Sequence, residues 1–211
     1  MGLHPSYVVG VYELGVKILE SLENDDVSRG MLVGEAGIGK TWLARKVFEL
    51  AVEEGSCYMA IWLNLGKVLD EMSLYQDIAS QLFLVPEKEE SEEDNGGDED
   101  NSEDEKEQTI QDLIRLKDEI HKELDRKKLS CEGTKYLLLV LDDEGSVTNE
   151  ENVMKDLHLG EFLAPYGPIK IILTSRKGKG KGKGDAIGTD GEIGSHAADI
   201  IDLSVFTRST Y

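Results

Sequence analysis

A glycine-rich loop between an apolar strand and an amphipathic helix constrains this chain more than any other feature. Residues 34–41 read Gly-Glu-Ala-Gly-Ile-Gly-Lys-Thr and match the pattern G-x-x-x-x-G-K-[ST] at every fixed position. Residues 30–33 before the loop predict a short strand, and residues 40–53 after it predict a helix with one apolar face. Glycines let a backbone wrap closely around an anion and aim successive N–H groups at it. The order strand, loop and helix therefore predicts a phosphate-binding loop.

Each part of the predicted loop has its own task in holding the phosphates of a nucleotide. Lys40 brings a positive charge to the β- and γ-phosphates, and Thr41 offers a hydroxyl to Mg²⁺. The helix that begins there adds unpaired N–H groups and the positive end of its dipole. The alternative interpretation is a glycine turn that binds no nucleotide. The predicted phosphate contacts are Gly34, Gly37, Ile38, Gly39, Lys40 and Thr41, of which Thr41 is also a predicted metal ligand.

Two adjacent carboxylates follow the most apolar segment of the chain. Residues 136–141 are six apolar residues in succession, which is typical of a strand covered on both faces. In an open α/β sheet, ligands gather at the carboxyl ends of the strands. Asp142 is therefore predicted to hold Mg²⁺, directly or through water, and Asp143 to orient or deprotonate an attacking water. The alternative is a strand followed by an acidic turn.

A third apolar strand, predicted at residues 169–173, ends in the polar triplet Thr174-Ser175-Arg176. A guanidinium group stabilises negative charge spread over several oxygens. Arg176 is therefore a candidate for contacting the γ-phosphate. The alternative is an ordinary surface arginine.

Strands and helices alternate along the rest of the chain, which predicts a mostly parallel sheet with helices on both faces. The fold class is thus α/β, as a three-layer sandwich. The further predicted elements are helices at 8–22, 70–84 and 109–129 and strands at 58–65 and 200–203.

The charge and cysteine content exclude several classes of protein. The 43 acidic and 23 basic side chains give a net charge of −20. This balance argues against nucleic acid as a partner and against stable association with anionic membranes, since both need excess Lys and Arg. No apolar run approaches the roughly 20 residues that span a bilayer. Two cysteines cannot form a disulfide framework, and the four histidines lack zinc-ligand spacing, so an intracellular protein without structural zinc is expected.

Two segments of biased composition interrupt the predicted domain. Residues 87–107 hold 13 acidic and 2 basic side chains and no aliphatic or aromatic residue, which predicts a disordered insertion. A solvated loop is the plain interpretation, and a docking site for basic protein partners is the functional one. Residues 177–184 are four Lys-Gly pairs, which predict a mobile surface loop or a small cationic arm.

Taken together, these motifs resemble the NB-ARC nucleotide-binding domain of plant NLR disease-resistance proteins. The resemblance includes the phosphate loop with the following Trp42-Leu43-Ala44, the segments 136–143 and 170–176, the aromatic-containing strand at 60–64, and Tyr7-Val8-Val9-Gly10. It extends over residues 5–206 outside the two biased segments. Trp42 stands where the family usually has a second small hydroxyl residue.

The resemblance implies a cytoplasmic ATP/ADP switch of the STAND class of P-loop NTPases, with ADP in the resting form and ATP in the signalling form. It implies that Val9 and Gly10 contact adenine and that Trp42 belongs to the cofactor-binding loop. Asp142 would serve Mg²⁺, Asp143 hydrolysis, and Arg176 the sensing of the γ-phosphate. Any ATPase activity would be slow and Mg²⁺-dependent.

The resemblance also implies a domain organisation. Residues 1–22 would form a helix leading into a nucleotide-binding domain at 23–206, and the helical ARC subdomains and leucine-rich repeats of the family are expected to be absent. Such a chain would be a truncated member or a fragment, and other NLR proteins are candidate partners. Two alternatives stay open: an independent P-loop ATPase, and a non-catalytic decoy or adaptor that binds full-length relatives.

Overall fold

The architecture is a parallel sheet, described in a computed structural model over residues 5–84, 102–133, 135–142, 150–176 and 199–202. Within these ranges, neighbouring strands pair in parallel in the order β2-β3-β4-β1-β5. The strands are β1 (Arg29–Gly34), β2 (Cys57–Asn64), β3 (Tyr136–Asp142), β4 (Ile169–Arg176) and β5 (Asp199–Asp202).

Helices connect the successive strands from β1 to β4, as is usual for parallel pairing. They are α1 (Pro5–Glu23), α2 (Lys40–Glu53), α3 (Glu71–Gln81), α4 (Ser102–Leu129) and α5 (Leu159–Leu163), with a π-helical turn at Asn152–Asp156 and a 3₁₀ turn at Ala164–Tyr166. The start of α3 is fixed by a capping box. The Asp70 side chain accepts the Ser73 N–H at 2.7 Å, and the Ser73 hydroxyl oxygen accepts the Asp70 N–H at 3.1 Å.

The sheet separates two hydrophobic cores, which makes the structure a three-layer sandwich. One core joins α1 and α2 to the sheet and includes Ile18, Leu22, Leu43, Val47, Leu138, Val140 and Ile172. The other joins α3, α4 and α5 to the opposite face and includes Leu74, Ile78, Ile120, Leu124, Leu139, Leu141 and Phe162. The apolar residues 136–141 of β3 alternate between the two cores, and every residue of the strand is buried. Its unbroken apolar sequence follows from this burial on both faces, and the predicted α/β sandwich is confirmed.

The structure differs from the sequence-based expectation at one boundary of the acidic segment. α4 begins at Ser102, so residues 102–107 are helical, and the prediction of disorder is wrong there. Carboxylates near the N-terminus of a helix interact favourably with its dipole, so an acidic run can begin a helix whose apolar positions come later. Residues 87–101 and the Lys-Gly segment at 177–184 lie outside the described residues.

Sequence periodicity missed the segment between β3 and β4. The turns at Asn152–Asp156 and Ala164–Tyr166 and the helix α5 are each of five residues or fewer. Such elements are too short to show a helical period. They are nevertheless well packed, since Leu159, Leu163 and Tyr166 are all buried in the core beneath α3 and α4.

Candidate nucleotide-binding site

The loop between β1 and α2 takes a backbone shape that depends on glycine. Gly37 has a φ of 80° and Gly39 a φ of 99°, in the region that residues with a Cβ rarely adopt. Gly39 directly precedes the first residue of α2. The predicted phosphate contacts Gly34, Gly37, Ile38 and Gly39 thus lie along the turn from the end of β1 to the beginning of α2.

Strand order brings the three predicted motifs to one edge of the sheet. β4 lies between β1 and β3, so the carboxyl ends of these strands are neighbours. Gly34 on β1 is in register with Arg176 on β4, and Thr174 on β4 is in register with Asp142 on β3. The end of the phosphate loop, the first carboxylate and the polar triplet therefore meet at this edge.

Asp142 is the hydrogen-bonding centre of this edge. Its Oδ1 atom accepts the Thr41 hydroxyl at 3.0 Å and the Thr174 hydroxyl at 2.6 Å. The residue is 2% exposed. A buried carboxylate is stable only where such partners replace water, so the two hydroxyls explain how Asp142 is accommodated.

Lys40 places its ammonium group against the carbonyl groups of the phosphate loop. Its Nζ atom donates to the Gly34 carbonyl at 2.9 Å and to the Glu35 carbonyl at 2.7 Å. The residue is 8% exposed although lysine is rarely buried. The positive charge is thus held at the loop, where it can turn from the carbonyls toward an incoming phosphate.

An open cavity of about 440 Å³ lies over the start of α2. Trp42 lies on its wall and is 36% exposed. The size is in the range of small-molecule sites. The lining residues are Gly37, Gly39, Lys40, Thr41, Trp42 and Arg45, so the predicted phosphate loop forms this cavity.

Arg45 is a cavity residue that sequence reasoning missed. Its guanidinium carbon lies 5.6 Å from the centre of the Trp62 ring on β2, a cation–π distance. The available signal was helical spacing, because Arg45 follows Thr41 by four positions and so faces the same side of α2. Arg45 adds a second positive charge to the cavity beside Lys40.

Thr174 was likewise not predicted as a site residue, although it is the first residue of the polar triplet that contains Arg176. Its register opposite Asp142 could not be read without the strand order. The signal that could have found it was a hydroxyl residue at the end of a strand whose neighbour ends in a carboxylate.

The remaining predicted residues lie in α1, at the end of β4 and after β3. Gly10 lies within α1 and is not among the lining residues of the cavity, and the side chain of Val9 in the same helix is not described. Asp143 lies outside the described residues, and only the backbone of Arg176 is described, where it continues β4. Their predicted roles stay predictions.

Thr41 and Asp142 fit the needs of a magnesium ion that arrives with a nucleotide. Mg²⁺ is usually bound by one or two carboxylates together with phosphate oxygens and water, not by a cage of protein ligands. Among the described residues, no group of three or more His, Cys, Asp or Glu side chains could hold a metal by itself. A single buried carboxylate beside a hydroxyl at the phosphate loop suits the first kind of site.

None of the helices that the structure describes is both long enough and apolar enough to cross a bilayer.

Comparison with known proteins gives relatives from plants. The chain is 43% identical over 166 residues to a protein of Arabidopsis thaliana named as a disease resistance protein, At4g19050, with 78% of this chain and 12% of the relative covered. It is 30% identical to a second protein of that plant named in the same way, At5g45510, with 76% of this chain and 19% of the relative covered. The chain thus corresponds to less than a fifth of either relative.

Comparison with solved structures gives partial matches with TM-scores below 0.5. A structure of Drosophila ORC bound to DNA gives a TM-score of 0.47 at 16% identity and covers 90% of this chain and 42% of its own. The crystal structure of Cdc6p from Pyrobaculum aerophilum gives 0.45 at 18% identity and covers 84% and 40%.

The family assignment comes from the sequence match. The model of the NB-ARC domain matches residues 14–179, a range that includes the phosphate loop, Asp142 and Thr174. The resemblance inferred from the motifs is confirmed, and the match supports nucleotide binding at this loop. With its parallel sheet, its phosphate loop and this match, the chain belongs to the NB-ARC domain family.

Proposed function

We propose that this chain binds ATP and ADP together with Mg²⁺ and acts as the nucleotide-dependent switch module of an NLR-type plant defence protein. The observation that carries the proposal is the pair of arrangements at the phosphate loop: the Lys40 ammonium group on the loop carbonyls, and the Thr41 hydroxyl on Asp142. Lys40 and Thr41 line an open cavity, and the buried Asp142 carboxylate accepts a hydrogen bond from the Thr41 hydroxyl. This combination is suited to a polyphosphate with its metal ion.

Each residue of the loop has a task in this proposal. The Lys40 ammonium group exchanges the Gly34 and Glu35 carbonyls for phosphate oxygens, which are stronger acceptors because they are charged. Thr41 donates to Asp142 and keeps its oxygen lone pairs for the metal, since a hydroxyl has one hydrogen and two lone pairs. The metal ion, when bound, neutralises part of the phosphate charge.

The adenosine part of the nucleotide is proposed to lie beside the cavity wall. Trp42 offers an exposed aromatic surface next to the loop. Val9 and Gly10 are proposed to contact adenine, as the family resemblance implies. Asp143 and Arg176 are proposed to act on the attacking water and on the γ-phosphate. Turnover is expected to be slow, because a switch must remain in one state long enough to signal.

The role in defence rests on the names of the two plant relatives. The proposed switch would operate inside a longer assembly, since the chain corresponds to a small part of each relative. Cytoplasmic location and contacts with other NLR proteins belong to the same proposal, as does the binding of basic partners by the acidic segment.

Thermal melting with ligands tests nucleotide binding directly. A ligand at about 100 times its dissociation constant stabilises the native form by about 2.7 kcal/mol. For a chain of this size that is a rise of about 5–10 °C in melting temperature. We expect such a rise with Mg-ADP and with Mg-ATP for the wild type.

Two lysines of α2 give a matched pair of variants. Lys40→Ala should abolish the ligand-induced rise and leave the ligand-free melt cooperative. Lys46→Ala should keep the rise, because Lys46 lies on the same helix but does not line the cavity. An equal rise in both variants, measured at the same ligand concentration, would show that the site assignment is wrong.

Phosphate release separates the switch from an independent ATPase. Steady-state turnover of about one per second or faster, the low end for ordinary enzymes, would favour the ATPase. For the decoy or adaptor alternative, the measurement is capture of a full-length relative. Capture that survives Lys40→Ala would favour a role that does not depend on nucleotide.

A further inference from the structure

The carboxylate of Asp142 is held on one of its two oxygens by hydroxyls from two different elements. The Thr41 hydroxyl reaches Oδ1 from α2 at 3.0 Å, and the Thr174 hydroxyl reaches the same atom from β4 at 2.6 Å. Thr174 is 1% exposed and Asp142 is 2% exposed. The hydrogen bond from Thr174 is the shorter of the two, so it restrains the carboxylate more strongly than the bond from Thr41 does.

Two donors on one oxygen have a consequence for the other oxygen. A carboxylate can accept about four hydrogen bonds, two on each oxygen. Here the two hydroxyls occupy Oδ1, and no side chain or backbone group in the described part of the chain donates to Oδ2. The two bonds restrain the rotation of the carboxyl group, and the donors in the described ranges leave the lone pairs of Oδ2 for another partner.

The position of Thr174 explains why this residue can fix the orientation of the Asp142 carboxylate. Thr174 and Asp142 are cross-strand neighbours in parallel register, and both are rigidly held because β3 and β4 are central strands of the sheet. Thr41 cannot do this alone. Its oxygen lies at the start of α2 beside the cavity, and in the proposed function it also serves the metal.

We propose that Thr174 is a positioning residue for magnesium. By donating to Oδ1 of Asp142, it turns Oδ2 toward the metal ion or its water ligand and so sets the magnesium-dependent part of nucleotide affinity. The inference rests on the proposed binding of Mg-nucleotide at this loop. It makes β4, which continues to Arg176 two residues later, part of the metal site.

The alternative is that Thr174 only satisfies a buried carboxylate. In that case its hydroxyl would contribute to folding stability, and its removal would lower the melting temperature without ligand. A positioning role makes a different prediction, since it changes how much Mg²⁺ strengthens ADP binding. The ratio of the ADP dissociation constants without and with Mg²⁺ separates the two, because a purely structural change leaves this ratio unaltered.

The test uses calorimetric titration of the whole chain with ADP, in excess Mg²⁺ and in a chelator, for the wild type and Thr174→Val. Valine keeps the shape of threonine and lacks the hydroxyl. We expect the Mg²⁺ ratio to fall about fivefold to tenfold in Thr174→Val, in line with the loss of one hydrogen bond of ordinary strength. Affinity in the chelator should change less than twofold.

A second pair of variants keeps the test decisive if valine disturbs folding. Thr174→Ser and Thr174→Ala differ only by the hydroxyl, and circular dichroism will show whether each is folded. Thr174→Ser should keep a ratio within about twofold of the wild type. Thr174→Ala should show the same lowered ratio as Thr174→Val. Equal ratios in the serine and alanine variants would overturn the proposal.

The outcomes separate this inference from the proposed function. If the wild type binds no ADP in either buffer, the proposed function is wrong, and the inference that rests on it is wrong too. If the wild type binds Mg-ADP more tightly than ADP and all Thr174 variants keep the same ratio, nucleotide binding stands and the positioning role is overturned.

Discussion

The side-chain amide of Gln81 bonds to both backbone groups of Trp62. The Trp62 N–H donates to Gln81 Oε1 at 2.8 Å, and Gln81 Nε2 donates to the Trp62 carbonyl at 2.8 Å. Trp62 lies on β2, which is an edge strand of the sheet. Unpaired edge groups invite pairing with another chain, and a side chain that occupies them blocks this. The last residue of α3 thus covers part of the edge of β2, the strand whose Trp62 ring lies against Arg45 of α2.

Gln81→Ala should destabilise the fold, because it removes both hydrogen bonds to Trp62 and a longer one to the Asp77 carbonyl, and it leaves the half-buried groups of Trp62 to water. The expected loss is about 1–3 kcal/mol in the free energy of unfolding. The measurement is urea denaturation. Gln76→Ala is the matched control, since it is the same substitution at an exposed position of the same helix. Equal losses in the two variants would show that the bonds to Trp62 contribute nothing.

Gly39→Ala should harm both stability and ligand binding. The φ of 99° at this position is strained for any residue with a Cβ, at a cost of about 1–3 kcal/mol. Relief of this strain would move the start of α2 and with it the Lys40 and Thr41 backbone. We expect a lower melting temperature and a smaller rise with Mg-ADP. Gly30→Ala is the comparison, since a Cβ there meets nothing within 4 Å and no positive φ is involved. A normal rise in Gly39→Ala would contradict the role of this backbone shape.

Lys170→Met should loosen the connection between α1 and β1. Lys170 is 4% exposed, and its ammonium group donates to the backbone carbonyls of Asn24, at 2.9 Å, and Val27. Methionine keeps the apolar stem but leaves both carbonyls without this donor, so a loss of about 1–3 kcal/mol is expected by chemical denaturation. Lys155→Met is the control, because that side chain is 70% exposed and should change stability by less than about 0.5 kcal/mol. Equal stability of the two variants would refute the anchoring role.

The two cysteines should differ in reactivity. Burial raises the pKa of the Cys57 thiol to about 11, so at pH 8 only about one thiol in a thousand is ionised. Cys131 is partly exposed. Iodoacetamide at pH 8 should therefore modify Cys131 first, and Cys57 only on unfolding, as followed by mass spectrometry. Fast modification of Cys57 in the native chain would contradict its burial.

The same shift predicts how stability changes in alkali. The unfolded thiol ionises from pH 9 while the native thiol stays protonated until about pH 11, so the native form binds more protons in this window. The contribution of Cys57 to stability is complete below pH 9 and decreases as the pH rises, by about 1 kcal/mol at pH 10. Cys57→Ala should show a shallower decline in urea melts between pH 8 and pH 10 than the wild type.

Local pattern predicted most of the elements and the centre of the site. The phosphate loop combines glycines at fixed spacing with a preceding strand and a following helix, and all of these are neighbours in sequence. The continuous apolar run of β3 predicted burial on both faces, which alternate packing of its residues into the two cores confirms. The short turns between β3 and β4 escaped prediction because elements of five residues or fewer carry no period.

The boundary of α4 shows a second limit. A composition with many carboxylates predicts disorder when it is considered alone. Helix formation is cooperative, however, so a helix with an apolar stripe further along can extend into acidic residues at its favourable end. Segment composition therefore misplaced the boundary although the helix itself was expected.

The sequence by itself determined which groups are available for binding: a loop that fits phosphates, an ammonium group, a hydroxyl, and a carboxylate at the end of a buried strand. Only the tertiary structure decided which of them meet. Thr41 and Asp142 are 101 positions apart, and Thr174 becomes the neighbour of Asp142 only because β4 is inserted between β1 and β3. Arg45 and Trp62 also come together only in the tertiary structure, because α2 packs on one face of the sheet beside β2. Strand order depends on how two cores are filled at once, which is a property of the whole chain and not of any one segment.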